Sequence, residues 1–298
     1  MLRKISMFEV FLDALLDTLK VLPFLLIIYI VIELIEHKTS LTGNKKILQG
    51  RLAPLLGSAA GLIPLCGFSV MSAKLYERGY IRTGTVLAVF IATSDEAIIL
   101  LAADLTDFYA LSAILPLLAV KFILAVGAGY LANAVLYKEK LTEPEPATHA
   151  VDYTCAHEHE EPSNLEIYLL SPVWHTLKIG LYLLVVNYIF GILIYAVGEE
   201  TIASSLATDV YLQPVITAAV GLIPSCASSV ILTSAYVKKI ITFGSLVSGL
   251  VVNAGMGFVI LMKNPKTLKR TLLLLAAAFA ISCAAGILIN VIASFINL

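Results

Sequence analysis

The sequence predicts an all-α integral membrane protein built from two repeats of inverted orientation, with about ten helical segments that include two re-entrant or broken-helix hairpins. Three observations carry this reading. Hydrophobic residues fill 59% of the 298 positions and charged residues 14%, where a soluble domain has roughly 45–50% and 25%. One decapeptide is written twice, as GLIPLCGFSV from Gly61 to Val70 and GLIPSCASSV from Gly221 to Val230, identical at seven positions and offset by 160 residues. The charges of the loops, finally, fall into a consistent pattern only if the decapeptide segments re-enter the membrane. The formal charge of −1 and the lack of a basic stripe give no reason to expect nucleic acid, and four scattered cysteines make no disulfide framework.

The elements follow in order. Residues 1–17 set Ile5, Phe8, Leu12, Leu15 and Leu16 at helical spacing, with Lys4, Glu9, Asp13 and Asp17 on the other side, as in an interfacial amphipathic helix. The first span runs from Leu19 to Ile35, and Glu33 and Glu36 sit at its end, where carboxylates reach headgroup water. This run has no small-residue cleavage site, so no cleavable leader is expected. After a basic loop, Leu52 to Glu77 holds the first decapeptide in 26 residues. That length is too short for two spans, and Gly61, Pro64 and Gly67 interrupt it, which fits two half-helices in a re-entrant hairpin. Such backbone is tolerated at membrane depth only where protein or a water-filled cavity covers it. Thr83 to Ala103 is a span interrupted by Thr93-Ser94-Asp95-Glu96, and Ala110 to Tyr137 contains Pro116 and Lys121.

Residues 138–164 are rich in proline, acid and histidine, too poor in apolar residues for a core, and expected to be a flexible linker. The second half repeats the first: an amphipathic start from Leu165, a span from Ile179 to Val197, the second decapeptide within Gln213 to Val237, a span from Ile241 to Met262 with Asn253, Gly255 and Gly257 in its middle, and a last span from Thr271 to Ile296. From Pro54/Pro214 to Gly84/Gly244 the halves align without a gap. The expected organisation is a first transmembrane repeat (1–137), a linker (138–164) and a second, inverted repeat (165–298).

Charge sets the topology. With re-entry, Lys38, Lys45, Lys46, Arg51, Arg78 and Arg82 share one side with Lys138, Lys140 and the group Lys263, Lys266, Lys269 and Arg270, while Asp104, Asp107, Glu199, Glu200 and Asp209 face the other. Full spanning scatters these groups over both sides; Lys238-Lys239 is the one pair that re-entry misplaces. An odd number of crossings per half inverts the second relative to the first. Inverted repeats with broken helices and a polar midplane are the signature of a secondary transporter.

The hairpin tips are expected to bring Cys66, Ser69, Cys226, Ser228 and Ser229 together, and the interrupted spans add Thr93, Ser94, Asp95, Glu96 and Asn253. Gly61, Pro64, Gly221 and Pro224 are read as backbone breakers, and the two prolines free carbonyls that can coordinate a cation. A carboxylate at the bilayer centre costs about 2.5–3.5 kcal/mol on insertion scales, so Asp95 and Glu96 need a cation, a proton or a basic partner such as Lys74 or Lys121. Carboxylate, amide and hydroxyl oxygens suit divalent cations such as Mn²⁺, and two thiols shift the preference toward softer ions. Asp95, Glu96, Cys66 and Cys226 are therefore the expected metal ligands, against the plainer alternative of buried cysteines and a satisfied acid pair. Cys155, His157 and His159 offer peripheral binding in the linker, at a spacing that matches no tetrahedral zinc motif.

Duplicated GLIPxC segments, a polar SDE break and an acidic central linker bearing His and Cys resemble the ten-transmembrane heavy-metal exporter family, also described as arsenic efflux proteins or manganese transporters. The resemblance covers nearly the whole chain. It implies a heavy-metal exporter, and it carries over to Pro64, Cys66, Pro224, Cys226, Asp95 and Glu96.

The expected function is thus secondary export of a heavy-metal or metalloid ion across the cytoplasmic membrane, with the linker on the cytoplasmic side, protons as the coupling ion and no resident cofactor. Membrane lipid and a small inorganic ion are the expected partners, nucleic acid is not, and a homodimer is left open. An organic-anion or other small-solute transporter is the alternative. An intramembrane thiol enzyme lacks a base, because no histidine falls in the midplane segments.

Overall fold

The structure, a computed structural model, describes residues 49–63, 67–77, 79–93, 95–103, 108–135, 209–253, 256–263 and 268–296, together with scattered positions within 11–26 and 173–192. The expectations for the amphipathic start before residue 11, for Glu33 and Glu36, for the charged loops 38–46, 104–107 and 199–208, and for the linker with Cys155, His157 and His159 lie outside the described residues. So do Pro64, Cys66, Ser94 and Gly255, and the side chains of Asp95, Glu96 and Cys226.

Among the described residues the fold is all helical. The chain forms α1 (Ala53–Gly61), α2 (Gly67–Glu77), α3 (Thr83–Ala92), α4 (Asp95–Ala103), α5 (Phe108–Val135), α6 (Gln213–Gly221), α7 (Cys226–Val237), α8 (Phe243–Val252), α9 (Met256–Lys263) and α10 (Leu268–Ile296). Pro54 and Pro214 stand in the first turns of α1 and α6, where the missing N–H is no loss and the fixed φ favours the helix.

The pairs α1–α2 and α6–α7 are hairpins, closed by hydrogen bonds at their bases. The Gln49 amide, just before α1, donates to the Gly79 carbonyl just after α2 at 3.1 Å. The Gln213 amide, at the start of α6, donates to the Ile240 carbonyl just after α7 at 3.1 Å, and its oxygen accepts from the Thr242 N–H at 2.9 Å. Each hairpin therefore ends where it began. The packing of α1 on α3 agrees, because the two run in the same direction. A Cβ at Gly57 would meet Thr85 and Val89, and one at Gly61 would meet Val89 and Ala92.

The same contacts recur in the second half. A Cβ at Gly221 would meet Gly249 and Val252, the counterparts of Val89 and Ala92. Gly84 closes on Gly129 and Asn133 of α5 as Gly244 closes on Gly286 and Asn290 of α10. The offset is 160 residues up to α3 and α8 but 157 between α5 and α10, so the second half is three residues shorter after its broken span. Between the halves, α2 packs on α9, α7 packs on α4, and α3 meets α8. Exchanging the two halves maps the first of these contacts onto the second and the third onto itself. Near the chain start, Phe11 meets the Tyr188 ring edge-on at 5.7 Å.

The hydrocarbon core takes about 20 helical residues to cross. Ser112–Val135 and Leu268–Phe295 are 24 and 28 residues long, with mean hydropathy 2.1 and 2.6 and only 28% of each apolar window buried. They are the outer helices, and Leu115, Ile123 and Leu131 form an exposed apolar band on α5. The apolar window across α8 and α9 is 93% buried, which puts the broken spans inside. There Phe90 and Phe258 meet edge to face at 4.7 Å, surrounded by Leu87, Ile91, Leu246 and Val251.

Candidate ion site at the helix breaks

The helices are interrupted at four places: between α1 and α2, α3 and α4, α6 and α7, and α8 and α9; the second is flanked by the buried Thr93 and Ala97. Each leaves carbonyls without helical partners on one side and N–H groups on the other, with partial negative and positive charge respectively. Interior backbone of this kind can engage an ion in a way that unbroken spans cannot.

Gly61 and Gly221 are the last residues of α1 and α6, and among the described glycines only Gly79 has positive φ. Their contribution is therefore close approach. A Cβ at Gly61 would come within 2.8 Å of the Val89 carbonyl, and one at Gly221 within 2.2 Å of the Gly249 carbonyl. The chain leaves the helices just beyond them, at Leu62-Ile63 and Leu222-Ile223, and Pro224 stands half-buried in the second break.

At the first broken span, α3 stops because Thr93 turns to φ −57°, ψ 128°. Its buried hydroxyl donates back to the Val89 carbonyl at 2.7 Å. Asp95 and Glu96 are the first two residues of α4, so the break precedes the acid pair instead of running through it. The first turn is where a helix dipole favours carboxylates, which supplies the pair with part of its compensation. Consecutive helical residues project about 100° apart.

At the second broken span Asn253 takes the place of Thr93, with φ −77°, ψ 83°. Its amide donates to the Ser228 hydroxyl at 3.1 Å. The Ser228 oxygen lies 2.7 Å from the Ser225 carbonyl and 3.0 Å from the Ile223 carbonyl. This chain of bonds ties the α8 break to the tip of the second hairpin. Cys226 opens α7. Ser69 and Ser229 are buried one turn into α2 and α7, and their carbonyls accept from the Ser72 and Thr233 hydroxyls at 2.8 and 2.7 Å. A Cβ at Gly257 would lie 2.9 Å from the Ser69 carbonyl and 2.6 Å from the Phe90 ring, so the start of α9 lies against the tip of the first hairpin. The first hairpin thus meets the other half's broken span near its tip, the second is bonded to its own half's broken span at Asn253, and α7 packs on α4 of the first half.

Of the two lysines weighed as partners for the acids, Lys74 pairs with Glu77 on its own helix at 2.6 Å. Lys121 is fully buried, and its ammonium donates to the Thr93 carbonyl and, at 2.8 Å, to the Leu250 carbonyl. Sequence reasoning treats Lys121 only as a partner for carboxylates. It also passes over Ser225, whose buried hydroxyl finds no hydrogen-bond partner among the described residues. A lone lysine in an apolar run is the available signal for the first; nothing in the sequence marks the second. Among the described residues, no three His, Cys, Asp or Glu side chains gather at metal-binding range.

Long lipid-facing helices around buried broken spans define an all-helical, multi-pass membrane protein. The chain belongs to the family described as "Putative, 10TM heavy-metal exporter", whose model matches residues 3–195 and 177–297. By its description that is a family of transporters. No curated protein and no solved structure matches the chain.

Proposed function

We propose that the protein is a secondary transporter that exports a heavy-metal or metalloid ion, a divalent cation such as Mn²⁺ or an arsenic species, across the cytoplasmic membrane. The observation that carries the reading is the acid pair Asp95 and Glu96 at an interior helix break in a chain of this family. The two carboxylates supply charge, and protons exchanged on them couple the cycle. Thr93, Ser94, Ser69, Ser229 and Asn253 supply oxygen ligands, Cys66 and Cys226 supply thiolates, and Pro64 and Pro224 bare nearby carbonyls. The halves are of opposite orientation, with the linker in the cytoplasm. Support for inversion comes from the packing. The carbonyl ends of α3 and α8 converge on one ammonium, as expected of half-helices that approach from opposite faces.

Inside-out vesicles with an imposed pH gradient, offered Mn²⁺, Zn²⁺ and arsenite in turn, test the proposal. Accumulation of at least one ion above control vesicles is expected, and accumulation of none refutes it. A second reading, organic-anion export, is favoured by the positive charge of Lys121 at the break. Labelled carboxylates in the same vesicles separate the two.

A further inference from the structure

The ammonium of Lys121 is fully buried, and main-chain carbonyls of both halves are among the groups that hold it. Leu250 lies in the last turn of α8, so its carbonyl is one of the four that lack a partner within the helix. Thr93 lies just past the end of α3. Both acceptors are therefore at helix C-termini, where the dipole is negative and a cation is favoured. Unmatched, each would be a buried polar group without a bond, which is costly. We propose that the adjoining ends of α3 and α8 form a cation seat of main-chain carbonyls, shared by the two halves, which the chain fills with its own primary ammonium, that of Lys121.

Two further features support this. The residue equivalent to Lys121 in α10, 157 positions on by the same offset that relates Gly129 to Gly286, is Ala278, buried at 1% exposure. One tethered cation thus serves ends contributed by both halves. Among the described helices, those that pack most on α5 are α1, α3, α4 and α8, and their titratable residues are Asp95 and Glu96. An ammonium in the seat also sets positive charge at the break that carries those acids. Lys121 is thus a positioning residue for the α3–α4 break, and charge-assisted bonds of this kind are about twice as strong as neutral ones.

The test uses the full chain in detergent. The Lys121→Ala variant removes a propylammonium group from the buried site. It is expected to melt roughly 5 °C or more below the wild type. Added n-propylammonium should restore at least half of that loss, whereas equimolar n-propanol, which matches the chain but lacks the charge, should restore none. Restoration by n-propylammonium no greater than by n-propanol, or a variant that melts like the wild type, overturns the seat. Should the variant not accumulate, the wild type serves in native membranes with a membrane-permeant acetylating reagent. The exposed Lys263 and Lys269 should be modified while Lys121 is protected, and modification of Lys121 as fast as Lys263 overturns the proposal. Neither measurement reads transport, so the seat and the export proposal can fail independently.

Discussion

Replacing Gly221 by alanine probes the closest approach between helices of the second half. The new Cβ would stand 2.2 Å from the Gly249 carbonyl oxygen, 3.0 Å from its carbon and 2.8 Å from a methyl of Val252 on α8, whereas ordinary contact starts near 3.4 Å. Because the nearest atom is main chain within a buried helix, no rotamer change relieves the clash, and α6 and α8 must separate by on the order of 1 Å. Overpacking of this kind costs about 1–3 kcal/mol, against a gain of up to about 1 kcal/mol from the better helix former. A net loss of roughly 1–2 kcal/mol follows. Gly61→Ala meets its nearest atoms at 2.8 Å and should lose less. Gly127→Ala meets nothing within 4 Å and should be neutral or stabilising. Thermal melting of the three variants in one detergent gives the order Gly221→Ala lowest, then Gly61→Ala, then Gly127→Ala at or above the wild type. A Gly221→Ala protein that melts at or above the wild type would refute the reasoning, as would Gly127→Ala melting lowest.

Two further outcomes are expected at the hairpin bases. Gln213→Ala removes bonds to Ile240, Thr242 and the Ser245 hydroxyl, whereas Gln49→Ala removes one to Gly79; with buried unpaired groups at about 1–3 kcal/mol each, denaturant melts should show the larger loss for Gln213→Ala. Asn290→Ala loses the Thr242 hydroxyl and the Val210 carbonyl, both at 2.8 Å, and Asn133→Ala loses only the Gly84 N–H at 3.1 Å, so the same assay should rank Asn290→Ala as the more damaging.

Much of this architecture is legible in the sequence, for physical reasons that can be named. The sequence bounds the second hairpin from Gln213 to Val237, and α6 and α7 occupy that stretch, because a proline-broken apolar run between loops of assigned sidedness admits few alternatives. The break at Thr93-Ser94 is visible as polar residues in an apolar run. Its position relative to Asp95 is not, since an acid reads the same inside a break and in the first turn of the next helix. Gly61 and Gly221 read as breakers although they act through close packing; helical periodicity does not reveal which neighbour approaches a glycine. Lys121 is conspicuous as a lone charge, but its main-chain acceptors cannot be read, because every residue carries a carbonyl.

The acid pair at the α3–α4 break is the centre of the functional account. The most direct test is ion uptake by inside-out vesicles containing the Asp95→Asn/Glu96→Gln protein, at matched expression and with folding verified by its melting temperature. Uptake should fall to the level of vesicles without the protein for every ion that the wild type carries. Uptake at the wild-type rate by the folded double variant would contradict the account.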